Sequence, residues 1–140
     1  MIIGYTTGVF DLFHIGHVNI LKNAKSLCDQ LIVGVSSDDL VSYKDKKPVI
    51  PYEERVEIVR ACKYVDLAVP QLDMDKLDQH SRYKFDIMFV GDDWYKQSKW
   101  EKIESELSTK GVRIIYFPYT KNTSSTLINS TLEYLRSKDG

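Results

Sequence analysis

Five short apolar runs, each followed by a stretch of helical spacing, constrain this chain more than any other feature. The runs are "IIGYTT" (2–7), "LIVGVS" (31–36), "VDLAVP" (65–70), "FDIMFVG" (85–91) and "VRIIYFP" (112–118). They are rich in Val, Ile, Tyr and Phe and bounded by Gly, Pro or Asp, which is how buried strands read. Between them, "HVNILKNAKSLC" brings Val18, Leu21, Ala24 and Cys28 onto one face. "PYEERVEIVRACKY" opens on Pro51 and two glutamates and carries Val56, Val59 and Cys62. "SKWEKIESELSTKG" ends at Gly111, a suitable residue just past a helix, and "SSTLINSTLEYLRS" closes the chain. Strand and helix in alternation predict an α/β fold: a five-stranded parallel sheet with helices on both faces, as one domain over residues 1–140.

Composition narrows the functional classes. Nineteen Lys and Arg stand against twenty Asp and Glu, a net charge of −1, so no basic field points to nucleic acid. No apolar run is long enough to cross a bilayer, and Met1 leads into "IIGYTTGVF" without a basic leader. The expectation is a soluble, cytoplasmic protein with no membrane partner. Cys28 and Cys62 lie in apolar helical stretches without a C-x-x-C spacing and read as reduced core residues. The segment 71–84 reads as a solvated helix; its Asp73, Asp75, Asp78 and His80 match no metal-ligand template.

Two of the three histidines fall in "GVFDLFHIGH", where the first strand gives way to a helix. Ligands of open α/β sheets bind beyond the carboxyl ends of the strands. His14 and His17, three apart, share a face of the first helical turn, beside the free N–H groups and positive end of its dipole. Gly16 between them, and Gly8 at the strand end, would let a phosphate approach the backbone closely. Helix capping with ordinary packing is the alternative reading of the pair. A second local feature is "YKDKKP", with Lys44, Lys46 and Lys47 in four positions, which by itself reads first as a solvated loop.

Taken together, "TTGVFDLFHIGHVNILKNAK", "LIVGVSSDDL", "YKDKKP", "PYEERVEIVRACKYVD", "FVGDDW" and "FPYTKNTSSTLI" resemble the nucleotidyltransferase superfamily whose signature is H-x-G-H. Within it the resemblance is greatest to bacterial glycerol-3-phosphate cytidylyltransferases, through "GDDW" and the short length. It implies a single Rossmann-like domain that joins CTP and sn-glycerol 3-phosphate into CDP-glycerol and releases pyrophosphate. The acceptor phosphate attacks the α-phosphorus directly. Such a nucleophile is already ionised near neutral pH, so the residues must position and stabilise charge, not remove a proton. On this resemblance His14, His17 and Lys44 are catalytic. Thr7, Gly8, Phe10, Asp11, Gly16, Lys46, Gly91, Asp93, Thr120, Ser124, Ser125 and Thr126 bind the nucleotide, and Lys44, Lys46 and Arg55 meet the acceptor phosphate. Asp11 is expected to hold a lysine or hydrated magnesium, and Mg²⁺ to arrive with CTP, not in a dedicated cage. Asp92 and Asp93 read otherwise as caps of the next helix. The resemblance further implies a homodimer through "ACKYVD" and a place in teichoic acid or capsule assembly.

The last motif departs from the family pattern R-T-x-G-[IV]-S-[ST]-T, reading "YTKNTSST" here. Tyr119 stands in the place of the arginine and Asn122 in that of the glycine, while Thr120, Ser124, Ser125 and Thr126 keep the hydroxyls. The arginine would be a strong charge-assisted contact to the departing pyrophosphate, and Lys121 is no equal to it. Three readings follow: transfer to glycerol 3-phosphate; transfer to another small phosphorylated alcohol such as phosphoethanolamine, phosphocholine or a polyol phosphate; or a CTP-binding module without turnover.

Overall fold

The structure, a computed structural model, describes residues 1–42, 48–91, 98–118 and 134–135. Its elements run β1 (Ile3–Gly8), α1 (Ile15–Ser26), β2 (Gln30–Ser36), α2 (Asp38–Ser42), α3 (Tyr52–Ala61), β3 (Leu67–Gln71), α4 (Lys76–Tyr83), β4 (Ile87–Gly91), α5 (Ser98–Thr109) and β5 (Arg113–Phe117). All four strand pairings are parallel, in the order β3-β2-β1-β4-β5. The expected α/β sheet with helices on both faces is present.

Alternation along the strands feeds two cores. In β2, Leu31, Val33 and Val35 join one, with Leu21 and Ala24 of α1 and Val56 and Val59 of α3. Ile32 points to the other face, with Tyr5, Met88, Trp100 and Leu107. β4 divides the same way: Ile87 and Phe89 on one side, Met88 on the other. Burying each large apolar side chain contributes roughly 1.5–3 kcal/mol, so a strand buried on both faces stabilises two layers at once. At Gly4 a Cβ would lie 2.7 Å from the Phe89 ring and 2.8 Å from Cys28 Sγ, so no larger residue fits there.

An aspartate precedes each of β2, β3 and β4 and fastens the amino edge of the sheet. Asp29 accepts from the Ile2 N–H (2.6 Å) and Asp86 from the Ile3 N–H (2.9 Å). Asp66 accepts from the Leu31 N–H (2.7 Å) and pairs with Lys25 (2.6 Å). "KYVD" is thus a staple at the edge opposite the histidines.

α3 stops at Ala61, three residues short of the stretch read as helical. Cys62 turns to extended backbone and its N–H closes on Val59 O. The segment 71–84 is helical over Lys76–Tyr83 but not wholly solvated, because Lys76 and Gln79 are buried. Asp75 caps it by accepting from the Asp78 N–H, and Asp73 accepts from the Asp75 N–H. Gly111 takes a φ of +80° just past α5, as its place at a helix end requires.

β1 lies where the sheet changes direction. The chain runs outward from it through β2 to β3, then returns to pair β4 on its other side. A crevice opens at the carboxyl edge of such a switch point. The β1–α1 turn occupies that edge, and β4 ends beside it at Gly91.

Candidate active site

The turn from β1 into α1 places Thr7, Gly8, Phe10, Asp11, His14, Gly16 and His17 together. Phe10 (φ 55°) and Leu12 (φ 50°) both adopt left-handed backbone. Such conformations cost bulky residues roughly 1–2 kcal/mol each, so the surroundings must impose them. The Phe10 ring is buried, 5.3 Å from the His17 ring and 6.4 Å from that of Phe13. A Cβ on Gly8 would lie 3.0 Å from Phe10, so in this structure the glycine makes room for that ring. Asp11 accepts three backbone N–H groups: Leu12 and Ile50 on Oδ1 (3.1 and 2.9 Å) and Val49 on Oδ2 (2.8 Å).

The two histidines begin α1 by capping each other. His14, extended at the N-cap, accepts the Gly16 N–H on Nδ1 at 3.0 Å. His17, one turn on, accepts the His14 N–H on its own Nδ1 at 3.1 Å. This is the reciprocal arrangement that Ser and Glu usually make. It changes what the sequence suggested: the N–H groups of His14 and Gly16 are not left open for an anion, because the imidazoles take them up. An Nδ1 that accepts carries no proton, so a neutral ring must hold its proton on Nε2. The pair thereby replaces backbone donors with two Nε2–H donors on the far sides of rings whose centroids lie 4.0 Å apart. Capping and ligand binding, alternatives in the sequence, are compatible here.

Both rings are held neutral. Burial, then the neighbouring His14, brings the His17 pKa down to about 4 despite an opposing pull from Asp11. Burial also lowers that of His14. A histidine neutral in the fold but free to protonate when unfolded binds more protons in the unfolded state, so stability falls as pH drops from 6.5 towards 4. For His17 the loss should reach about 2 kcal/mol after allowing for partial solvation. Gln at this position keeps a capping side chain without a titrating group. His17→Gln should therefore flatten the decline, read as urea midpoints at pH 7 and pH 4.5; parallel declines would contradict it.

Arg55 is turned into the protein. Its side chain is 0% exposed. Nε donates to Ile50 O (2.8 Å), Nη1 to Val9 O (2.7 Å) and Ser36 O (2.8 Å), and Nη2 to Asp38 Oδ1 (2.6 Å). The sequence sets this guanidinium against the acceptor phosphate; in the structure four of its five N–H groups bond to the protein. Lys44, Lys46, Asp93, Thr120, Ser124, Ser125 and Thr126, like Tyr119, lie outside the described residues.

Sequence reasoning missed Lys76. It is 5% exposed, and its Nζ donates to Thr7 Oγ1 at 3.0 Å, bringing an ammonium to the carboxyl end of β1. Its partner in spacing, Gln79, accepts from the Tyr5 hydroxyl (2.9 Å). The only trace in the sequence is this polar i, i+3 pair, which also fits an exposed helix. Among the described residues no three His, Cys, Asp or Glu side chains gather as a metal site, and no helix is long and apolar enough to cross a membrane.

A turn with two imidazole donors and a buried ammonium at a sheet switch point suits a phosphorylated ligand. The cytidylyltransferase-like family model matches residues 5–132. The chain belongs to the cytidylyltransferase-like family. Among its relatives, the glycerol-3-phosphate cytidylyltransferase of Bacillus subtilis (strain 168) is 32% identical over 128 residues, covering 91% of this chain and 94% of that one. The FAD synthase of Thermococcus kodakarensis is 37% identical over 119 residues, covering 80% and 76%. Among solved structures, the lipopolysaccharide core biosynthesis protein from Thermoplasma volcanium GSS1 superposes with a TM-score of 0.72 at 29% identity, covering 88% of this chain and 99% of that one. This cytidylyltransferase-like protein is a nucleotidyltransferase, and the histidine turn lies within the matched region.

Proposed function

We propose that this nucleotidyltransferase joins CTP to sn-glycerol 3-phosphate, giving CDP-glycerol and pyrophosphate. The observation that carries the reading is the reciprocal His14–His17 cap at the switch point, which leaves two neutral Nε2–H donors on a strained, rigid turn. Nearly full-length likeness to three glycerol-3-phosphate cytidylyltransferases supports the acceptor and the base.

In this reading an acceptor phosphate oxygen forms a bond to the α-phosphorus as the bond to the β-phosphate oxygen breaks, and pyrophosphate carries off the electron pair. Charge grows on the departing phosphate, and fixed donors there stabilise the transition state more than the ground state. His14 and His17 supply them. Lys76, through Thr7, adds positive charge at the end of β1. Lys44 and Lys46 are assigned to offset repulsion between two phosphorylated ligands, and Asp93 and the hydroxyls of Thr120, Ser124, Ser125 and Thr126 to hold the nucleotide. Asp11 keeps a structural part here: it locks the turn to residues 49–50. Mg²⁺ is assigned to the triphosphate and its water, where it offsets charge; the donors among the described residues form no cage for it. Association of two copies through the 61–66 region belongs to the same proposal.

A second reading has a specific observation behind it. Archaeal FAD synthases reach 40% and 41% identity over 98 and 106 residues, higher than the glycerol-3-phosphate enzymes though over less of the chain. It replaces CTP with ATP and the small acceptor with a flavin phosphate. Pyrophosphate release should be measured for CTP and ATP, each with glycerol 3-phosphate, phosphoethanolamine, phosphocholine and flavin mononucleotide. The expected result is highest kcat/KM for CTP with glycerol 3-phosphate. Preference for ATP with the flavin would move the assignment to the second reading, and CTP binding without release on any acceptor would leave a binding module.

A further inference from the structure

Arg55 and Asp11 form one circuit around the histidine turn. Arg55 Nη1 holds Val9 O directly, while its Nε holds Ile50 O. The N–H of the same Ile50, with that of Val49, grips the Asp11 carboxylate, and Asp11 Oδ1 accepts the Leu12 N–H. The second Nη1 bond reaches Ser36 O, and the Ser36 hydroxyl is shared between Gln71 Oε1 (2.8 Å) and Gly8 O (3.2 Å). Every residue from Gly8 to Leu12 is therefore either tied into this circuit or, as with Phe10, buried in the core. Two of them hold left-handed backbone that an unrestrained chain would relax.

We propose that Arg55 is a positioning residue that holds the β1–α1 turn in its strained shape, and so sets the places of His14 and His17, instead of binding the acceptor phosphate. A phosphate approaching the guanidinium would lie beside three carbonyl oxygens and the Asp38 carboxylate, around a side chain that is itself fully buried. Those acceptors would repel it. Three carbonyls and one carboxylate instead match the planar donor fork of an arginine, which a lysine cannot reproduce.

The kinetic part of the test rests on the transfer reading; the spectroscopic part does not. In nucleotide-free protein, Arg55→Lys should move the imidazole nitrogen resonances of His14 and His17. Lys25→Met, which cuts the Lys25–Asp66 pair at the opposite edge, should leave them in place. In turnover, Arg55→Lys should lower kcat about 100-fold, the scale of a small misplacement of reacting groups, with the acceptor KM little changed. If Arg55→Lys does not fold, Asp38→Asn, which weakens the hold on Nη2, decides by the same comparison. Unmoved imidazole signals in the folded variant, signals moved equally by Lys25→Met, or an effect confined to acceptor KM would overturn the proposal. If the unaltered protein turns over no acceptor, the transfer reading fails while the spectra still decide the brace.

Discussion

Replacing His17 by alanine should lower kcat by roughly two to three orders of magnitude, the cost of removing one aimed donor from a developing charge. His14→Ala should do the same. Each substitution also removes half of the reciprocal cap, which costs about 1 kcal/mol of helix stability. The two effects separate in His17→Gln. Glutamine at the third helical position can still accept the His14 N–H, so the start of α1 survives, but its amide is a mobile donor in place of the fixed imidazole Nε2. Turnover in His17→Gln should therefore stay at least tenfold down while its thermal midpoint stays near that of the unaltered protein. Full activity in the glutamine variant would show that a fixed imidazole donor is not needed there.

The largest expected loss of stability belongs to Arg55→Met, about 3–5 kcal/mol by urea denaturation. Methionine fills much of the volume but leaves the carbonyls of Val9, Ser36 and Ile50 and the Asp38 carboxylate without the guanidinium. Ser36 O is buried and the Val9 and Ile50 carbonyls are partly so, and acceptors left unpaired there keep a desolvation cost, whereas exposed ion pairs contribute little. Arg60, on the outer side of the same helix and exposed, provides the contrast. Arg60→Met should change stability by less than about 0.5 kcal/mol. Similar losses at the two arginines would mean that the buried network carries no special weight.

The sheet and the place of the histidine turn within it were legible because both depend on local pattern. Runs such as "LIVGVS" are too apolar to be surface strands, and their alternation with helical stretches leaves a parallel sheet as the consistent solution. The H-x-G-H spacing at a strand-to-helix junction likewise fixes which edge carries it. What could not be read depends on partners distant in sequence. Arg55 looks like any helical arginine until Val9 and Ser36, 46 and 19 residues away, close on its guanidinium. Lys76 lies in a polar stretch, yet it is buried, and its ammonium donates to Thr7, 69 residues earlier. The histidines show a subtler limit. Their proximity to a helix start was evident, but spacing alone does not reveal that each Nδ1 would take a backbone N–H and so determine where the proton sits.

That proton location is what the chemistry rests on, and nitrogen-15 spectra of the imidazoles report it directly. At pH 7 both rings should be neutral with the proton on Nε2, His17 should protonate only near about 4, and CTP with Mg²⁺ should shift the Nε2 signals of both. A ring that is cationic or protonated on Nδ1 at neutral pH, or a pair of Nε2 signals indifferent to CTP, would contradict the account.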